Sequence, residues 1–196
     1  QLLSQLTKTD VIYDFRQNDL KHEGQGAPLT PIFHNLISGI ICMKNNIKNP
    51  IHILNIGGIS NLTQTVQATE IDTVKGFDIG PGNCLIDEWI RNNSSYRYDE
   101  FGNIGKSGSV NELILNQAID NFKISSYSNS LDIKDFDTSF VRGLSLEDGC
   151  ATLTKFTAYL IANGIKYCHQ LSNQIQEIYL ICGGGRKNNF LIDCIK

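Results

Sequence analysis

The chain alternates between short apolar runs and longer stretches in which apolar residues recur at helical spacing. Short runs bounded by Gly or Asn are typical of buried strands, and apolar spacing of three and four residues is typical of amphipathic helices. The pattern predicts strands at Ile51–Ile56, Leu62–Val66, Val74–Ile79 and Ile178–Cys182. It predicts helices around Cys84–Ile90, at Val110–Phe122, at Ala151–Cys168 and from Asn189 onward. We expect the first two strands to pair as a hairpin.

The part of the chain before these strands carries a different pattern. Val11–Phe15 is apolar enough for a buried strand, and two glycines and a proline make Gly24–Pro28 a loop. Leu29–Ile41 has the spacing of a helix. Its apolar side is formed by Phe33, Leu36, Ile37 and Ile40. The polar stretch Asn45–Pro50 is the strongest domain boundary that composition alone indicates.

Two polar stretches interrupt the predicted elements. Tyr96–Lys106 contains glycine and is expected to be a loop, whereas Ser125–Leu144 has no predicted element. Strands that run into glycine-rich turns and then into helices predict an α/β lobe, with a mixed sheet flanked by helices.

Composition narrows the class of protein. The 196 residues include 41% hydrophobic and 19% charged side chains, with a net charge of -3. This balance is globular, and it excludes a strongly basic nucleic-acid binder. No apolar run approaches the roughly 20 residues that a membrane-spanning helix needs. We therefore expect no nucleic-acid partner and no membrane association.

Three glycine-rich turns follow apolar strands, at Asn55–Asn61, Asp78–Asn83 and Cys182–Asn188. Glycine lets a backbone approach a ligand closely, and the N–H groups of such turns bind phosphate. Each turn could equally be only a tight connection. The spacing of glycine and lysine fits neither the P-loop nor the dinucleotide-binding fingerprint. A nucleotide site of another kind is the hypothesis that remains.

Asp78 is the carboxylate with the clearest chemical interest, because it ends a strand beside one of these turns. It could take a proton from a nucleophile. It could also hold Mg²⁺ through water, or cap the helix that opens after Gly82. Asp87 falls inside that helix, where a solvated or ion-paired position is expected.

Five motifs in a fixed order make the pattern specific. They are Asp14-Phe15-Arg16, Gly24-Gln25-Gly26-Ala27-Pro28-Leu29, Asn55-Ile56-Gly57-Gly58-Ile59-Ser60-Asn61, Gly76-Phe77-Asp78-Ile79-Gly80-Pro81-Gly82-Asn83, and Cys182-Gly183-Gly184-Gly185 with Asn188. Over almost the whole chain, this combination resembles the anhydro-N-acetylmuramic acid kinases, bacterial enzymes of peptidoglycan recycling. The resemblance is weakest between Ser125 and Asp148.

The resemblance implies the two-lobed α/β fold of sugar kinases, actin and Hsp70, which is ribonuclease H-like, with ATP and a sugar substrate in the cleft. The implied reaction uses water to open the 1,6-anhydro ring while the γ-phosphate goes to O6, which gives N-acetylmuramic acid 6-phosphate. Asp78 matches the general base that activates the water. The implied nucleotide-binding residues are Gly57, Gly58, Ser60, Asn61, Gly80, Gly183, Gly184, Gly185 and Asn188. Mg²⁺ is expected with ATP and without direct protein ligands, and no substrate-binding residue is assigned.

One part of the family pattern is missing, because no Gly-Thr-Ser-x-Asp-Gly phosphate loop occurs in the chain. The resemblance therefore divides the chain into the end of a first lobe at 1–34 and a second, nucleotide-binding lobe at 35–196, truncated at its C-terminus. We expect a cytoplasmic fragment that forms a homodimer or pairs with a separately encoded first lobe. The alternatives are a non-catalytic remnant of a split or decayed kinase gene, or another kinase of the actin-like ATPase class.

All six cysteines are expected to be free thiols, because they occur singly in apolar stretches and a cytosolic protein is kept reduced. Thiol titration of the denatured protein, without added reductant, should give six thiols per chain. The same titration after reduction is the control. A lower count in the unreduced sample alone would contradict the prediction.

Overall fold

A four-stranded mixed sheet forms the centre of the chain in the computed structural model, which describes residues 2–24, 26–47, 51–65, 74–122, 127, 129–170 and 178–196. The strands are β1 (Ile51–Ile56), β2 (Ile59–Gln64), β3 (Lys75–Pro81) and β4 (Ile178–Cys182). Their order in the sheet is β3-β2-β1-β4. β1 pairs with β2 and β2 with β3 in antiparallel fashion, whereas β1 and β4 are parallel. The predicted α/β class, with a mixed sheet flanked by helices, is confirmed.

Among the described residues, three helices precede β1, four lie between β3 and β4 in the chain, and one follows β4. They are α1 (Leu2–Thr7), α2 (Phe15–Lys21), α3 (Pro31–Asn45), α4 (Cys84–Asn93), α5 (Asn103–Ser107), α6 (Glu112–Asn121), α7 (Leu146–Gln170) and α8 (Asn189–Ile195). Short 3₁₀ turns lie at Glu100–Gly102, Ile133–Asp135, Ser139–Val141 and Gly184–Lys187. None of the helices among the described residues is long and apolar enough to cross a membrane.

The long helix α7 covers one face of the sheet. Leu54, Leu62 and Ile79 of the sheet form a buried cluster with Ala158 and Ile161 of this helix. A second cluster joins α7 to α4 and α6 around the Trp89 ring, whose Nε1 donates to the Leu146 carbonyl at 2.9 Å. Apolar burial at about 25 cal/mol per Å² makes these clusters the main source of stability.

Helix α3 lies against the other face of the sheet through polar side chains, and only Ile37 and Ile40 of its predicted apolar side are partly buried. Ser38 is buried, and its Oγ lies 3.2 Å from Thr65 Oγ1 and accepts the Ile51 N–H at 3.1 Å. His34 Nδ1 lies 2.8 Å from Thr63 Oγ1. By contrast, Phe33 and Leu36 of the predicted apolar side are exposed. These polar contacts tie α3 to β1 and β2, so residues 45–47 connect packed elements; residues 48–50 of the predicted boundary lie outside the described residues.

Three further predictions about local structure are corrected. Val11–Phe15 is not a buried strand: residues 11–14 have no regular structure, the backbone of Asp14 is left-handed, and α2 begins at Phe15. Tyr96–Lys106 is not simply a loop, since it contains a 3₁₀ turn and most of α5. Short 3₁₀ turns also occur within the unassigned stretch after Ser125. Val66, the end of one predicted strand, lies outside the described residues.

Glycine at 149 allows α7 to approach the Trp89 ring. A Cβ at this position would lie 2.4 to 2.6 Å from three ring atoms. Gly149→Ala should therefore destabilise the fold by about 1–3 kcal/mol, because a rigid aromatic ring must move. Gly39 of α3 is the matched control, since a Cβ there meets nothing within 4 Å. Gly39→Ala should be neutral or stabilise by about 0.5–1 kcal/mol. Urea unfolding of both variants measures the difference, and equal stabilities would contradict the close contact.

Candidate active site

The topology brings the three glycine-rich turns to one edge of the sheet. β1 and β4 are parallel, so the turns after them, at Gly57–Gly58 and Gly183–Gly185, lie at the same end. β3 runs antiparallel to β2 and ends at this edge as well, where it leads into Gly82 and Asn83. The turns after β1, β3 and β4 therefore share one end of the sheet.

Hydrogen bonds hold the turn before α4 against the turn after β1. The Gly82 N–H donates to the Gly58 carbonyl at 2.8 Å, and the Asn83 N–H donates to the Gly57 carbonyl at 2.7 Å. The Asn83 side chain donates to the same Gly57 oxygen at 3.1 Å. A Cβ at Gly82 would lie 2.2 Å from that oxygen, so only glycine fits. These amides stabilise the edge of the sheet and are already occupied.

The turn after β4 packs directly on the end of β1. Gly183 has φ +81°, and a Cβ there would lie 2.4 Å from the Ile56 carbonyl oxygen. A Cβ at Gly185 would lie 2.3 Å from Ile56 Cγ2 and 3.2 Å from Asn83 Oδ1. Asn83 therefore lies between the two turns, and both glycine positions are needed for close approach.

A cavity of about 460 Å³ opens beside these turns. Its volume is within the range of small-molecule sites. Its lining consists of Asn83, Ile86, Asp87, Tyr98, Asp99, Glu100, Phe101, Gly184, Lys187 and Asn188. The residues come from α4, from the segment before α5 and from the turn after β4. We refer to it as the glycine-edge cavity.

Two carboxylates lie on one wall of the glycine-edge cavity. Asp99 is buried, and its side chain accepts the N–H groups of Ile104 at 2.8 Å and Gly105 at 2.9 Å. Burial raises the pKa of Asp87 to about 6; the nearby Asp99 charge also raises it, and Arg91 opposes the shift. Of the two expected positions for Asp87, the solvated one is wrong, because the side chain is half-buried in a cavity wall. The effect of Arg91 on its pKa agrees with the ion-paired one.

Asp78 lies within β3, opposite Asn61 of β2, and only 7% of it is exposed. Its Oδ2 accepts the Leu131 N–H at 2.9 Å. Burial raises the pKa of Asp78, and the Leu131 hydrogen bond counteracts part of this effect. The alternative that Asp78 caps a helix is wrong. The N-cap of α4 is Asn83, which lies five positions after Asp78.

A smaller pocket of about 200 Å³ opens beside Asp78. Its other lining residues are Asp19, Gly24, Ala27, Pro28, Gly76, Tyr127, Asn129 and Ser130. Gly76 and Asp78 alternate on the same face of β3, and a Cβ at Gly76 would lie 2.9 Å from Pro28 Cγ. The loop before α3 and the segment around Ser130 therefore close over the carboxylate. We refer to this space as the Asp78 pocket.

Comparison with known proteins places this geometry in a family. The family model for anhydro-N-acetylmuramic acid kinase matches residues 1–196. The chain belongs to the anhydro-N-acetylmuramic acid kinase family. The family resemblance inferred from the sequence motifs is thereby confirmed.

Curated relatives in the family are proteins from several bacteria, each named anhydro-N-acetylmuramic acid kinase. The protein from Pelagibacter ubique is 49% identical over 197 residues, which cover 100% of this chain and 51% of the relative. The protein from Zymomonas mobilis is 36% identical and that from Agrobacterium fabrum 35%, over 95% and 98% of this chain. These matches cover 48% and 49% of the two relatives. The chain thus spans about half the length of the curated relatives that it matches.

Among solved structures, the activator of the 2-hydroxyisocaproyl-CoA dehydratase from Clostridium difficile with bound ADPNP is similar. The TM-score is 0.46 and the identity 13%, over 84% of this chain and 55% of that one. A likeness of this size carries no argument about the present chain.

The residues that the kinase family resemblance singled out occupy several kinds of position. Gly184 and Asn188 line the glycine-edge cavity, and Asn188 Oδ1 also accepts the Leu191 N–H at the start of α8. Ser60 is buried, and its hydroxyl donates to the Pro81 carbonyl at 3.0 Å, so its side chain fastens β2 to β3. Gly80 has φ +150° and packs near Leu160 of α7. Their roles toward a nucleotide stay predictions.

Sequence reasoning missed most of the residues that line the two cavities of this kinase family member. Tyr98, Asp99 and Phe101 lie in a stretch that was expected to be a loop, and Asn129 and Ser130 lie in the stretch without a predicted element. In the first stretch, aromatic and acidic residues beside glycine were the available signal for a cavity wall. Nothing in the local pattern connected the second stretch to Asp78.

The pKa of Asp87 gives a prediction about stability. Its ordinary value is 3.8 and the folded value is about 6, so folding favours the protonated form. The cost of ionising Asp87 in the folded state is absent below about pH 4, develops between the two values, and is complete above about pH 6. Asp87→Asn should therefore raise the melting temperature at pH 8 and have much less effect at pH 4. Thermal unfolding at both pH values measures this.

The matched control for Asp87→Asn is Asp120→Asn, which changes an exposed carboxylate on α6. This variant should alter the melting temperature equally little at both pH values. A gain for Asp87→Asn that does not depend on pH would show that burial of its charge is not the cause.

Proposed function

We propose that this chain carries the catalytic base and the nucleotide-binding turns of an ATP-dependent kinase. The proposed reaction opens 1,6-anhydro-N-acetylmuramic acid with water and gives N-acetylmuramic acid 6-phosphate in peptidoglycan recycling. The observation that carries the proposal is the buried Asp78 carboxylate, which lies in its own pocket on the strand that leads to the glycine-rich edge.

Asp78 has the properties of a general base. Because burial raises the pKa of Asp78, its carboxylate accepts a proton more readily than an exposed carboxylate does. In the proposed reaction it takes a proton from water as the water oxygen bonds to C1 of the sugar. The C1–O6 bond breaks, O6 bonds to the γ-phosphorus, and the bond between that phosphorus and the bridging oxygen of ADP breaks. Every bond that breaks is thus matched by one that forms.

The glycine-edge cavity is the proposed site for the nucleoside part of ATP. Its volume of about 460 Å³, with Tyr98 and Phe101 among its lining residues, suits a stacked base and a ribose. The turns at Gly57–Gly58 and Gly183–Gly185 lie at the same edge and would face the phosphates. Asp78 is three residues before the end of β3, about 10 Å at the usual rise per residue. That separation suits a phosphate chain that extends from the cavity toward the Asp78 pocket.

Mg²⁺ would arrive bound to the ATP phosphates and would spread the negative charge of the transferred group. The described residues contain no group of three or more His, Cys, Asp or Glu side chains that could hold a metal. In this proposal, phosphate oxygens and water would supply the ligands of the Mg²⁺.

The matched relatives are about twice as long as this chain, and the remaining half would supply further parts of the cleft. The proposed division is the end of a first lobe at 1–34 and a nucleotide-binding lobe at 35–196. Association with a second copy, or with a separately encoded first lobe, belongs to the same proposal, as does a cytoplasmic location. The term 'complete kinase' is used below for the protein in which this chain is joined to the other half.

Asp78→Asn in the complete kinase tests the base. Asparagine keeps the size and one acceptor oxygen but cannot take the proton. General-base catalysis contributes about 10²–10⁴-fold, so kcat should fall by that order while ATP affinity stays unchanged. The measurements are steady-state phosphate transfer to 1,6-anhydro-N-acetylmuramic acid and titration with ATP.

Asp120→Asn, on the exposed side of α6, is the control and should leave both quantities unchanged. A kcat near wild type for Asp78→Asn would refute the assignment of the base. A joint fall of kcat and of affinity for Mg·ATP would instead favour a role in holding the metal.

A further inference from the structure

Two adjacent residues connect the Asp78 carboxylate to the loop before α3. The Ser130 hydroxyl donates to the Ala27 carbonyl at 2.8 Å. The next residue, Leu131, donates its N–H to Asp78 Oδ2 at 2.9 Å. One short segment therefore bonds to both walls of the Asp78 pocket.

The loop that accepts the Ser130 bond is itself anchored. Asp19 of α2 accepts the Gly26 N–H on its Oδ2 at 2.7 Å, and its carbonyl accepts the Gly24 N–H at 2.9 Å. Pro28 packs on Gly76 of β3, where there is no room for a Cβ. The Ala27 carbonyl is thus held between α2 and the strand that carries Asp78, and it offers a fixed point for the segment.

The segment that carries Ser130 has little other support from regular structure. Residues 129–132 belong to no helix or strand, and Asn129 and Ser130 are exposed. The flanking anchors are side chains: Tyr127 stacks on Tyr167 with ring centroids 4.5 Å apart, and Leu131 packs against the cluster around Trp89. The Ser130 hydroxyl bond fixes the residue just before the Leu131 N–H, and the capping box between Asp132 and Asp135 fixes the residue just after it.

We infer that Ser130 is a positioning residue for the proposed base: by bonding to the Ala27 carbonyl it holds the Leu131 N–H on Asp78 Oδ2. The inference rests on the proposed function, because only a catalytic carboxylate needs a fixed orientation. With Oδ2 engaged by the amide, the carboxylate takes the proton from water on Oδ1. The Ser130 clamp, as we call this pair of hydrogen bonds, thereby selects the oxygen that reacts.

The Ser130 clamp should affect the pKa of Asp78, and the direction of the effect follows from the chemistry of the hydrogen bond. An N–H donor stabilises the carboxylate form, so its loss raises the pKa of Asp78 further above the ordinary value. The other titratable groups that line the pocket are Asp19 and Tyr127. Removing the hydroxyl of Ser130 changes neither of these two groups, so we attribute a shift on that change to the Leu131 donor.

Ser130→Ala in the complete kinase tests the clamp, with Ser130→Thr as the variant that restores a hydroxyl. For the alanine variant we expect kcat to fall by roughly ten- to a hundredfold, because small misplacements of a reacting group have effects of this order. The KM for ATP should not change. The acid limb of the pH–rate profile should move to higher pH, because a base with a raised pKa is protonated over a wider range. Threonine should restore rate and profile.

A second measurement does not depend on catalysis. Carbon-13 NMR titration of the Asp78 carboxyl should give a higher pKa in Ser130→Ala than in the wild type or the threonine variant. Ser107→Ala is the control, since it removes an exposed hydroxyl on α5 that bonds to the Ile104 carbonyl. It should leave both the titration and the rate unchanged.

The outcomes separate this inference from the proposed function. An unchanged titration and an unchanged pH profile in Ser130→Ala would refute the clamp, even if Asp78→Asn abolishes activity. A shifted titration with threonine rescue would support the clamp even if Asp78→Asn retained its activity, in which case the proposed base would be the part that fails. Equal loss of rate in the alanine and threonine variants without a pH shift would show a general structural role and would overturn the clamp.

Discussion

The parallel pairing of β1 with β4 is the constraint on which the site depends. The two strands are more than a hundred residues apart in the chain, yet Asn55 lies opposite Cys182 in the sheet. Only this pairing puts the turn after β1 and the turn after β4 at the same edge. The pairing in turn requires glycine at 183, because any side chain there would strike the Ile56 carbonyl. Gly183 is therefore required for packing and also belongs to the proposed ligand-binding edge.

The pKa values of two carboxylates, Asp78 and Asp87, are shifted by the same cause and opposed by different partners. Burial raises the pKa of both Asp78 and Asp87. A backbone amide counteracts the effect at Asp78, whereas the guanidinium of Arg91 does so at Asp87. An amide has a direction and no charge of its own to titrate, so it can orient a carboxylate as well as stabilise it. The amide bond at Asp78 agrees with its proposed role as a base, and Asp87 lies in the wall of the glycine-edge cavity.

The helices on the two faces of the sheet are held by different interactions, apolar packing for α7 and hydrogen bonds for α3. On the α7 side, apolar side chains interlock, and small residues such as Gly164 let the helix approach Ile79 closely. On the α3 side, a half-buried histidine bonds to a threonine of β2 and a buried serine bonds to the threonine just after β2, and apolar residues of the helix remain exposed. Burying polar groups in this way is tolerated because each finds a partner. The polar attachment also places the loop before α3 over the Asp78 pocket.

The sequence by itself determined the local elements that depend on near neighbours. The apolar period predicted the strands at 51–56 and 178–182 and the helix from Asn189, and the structure contains these elements. Glycine positions and motif order singled out Asp78. The resemblance carried by the motifs identified the family. The sequence did not determine which side of α3 is buried, because a helical period reveals an apolar side but not the partner that covers it.

The tertiary structure alone decided what surrounds the candidate base. Ser130 and Leu131 bond to Ala27 and Asp78 across separations of about a hundred and about fifty residues, and each bond has a backbone atom, the Ala27 carbonyl or the Leu131 N–H, as one partner. Such contacts leave no period or motif in a sequence. The same holds for Asp87, which has the pattern of an ordinary helical residue until the segment around Asp99 packs beside it. Local pattern is set by bonded neighbours, whereas the chemistry of a site is set by burial and by distant groups, and these exist only once the chain has folded.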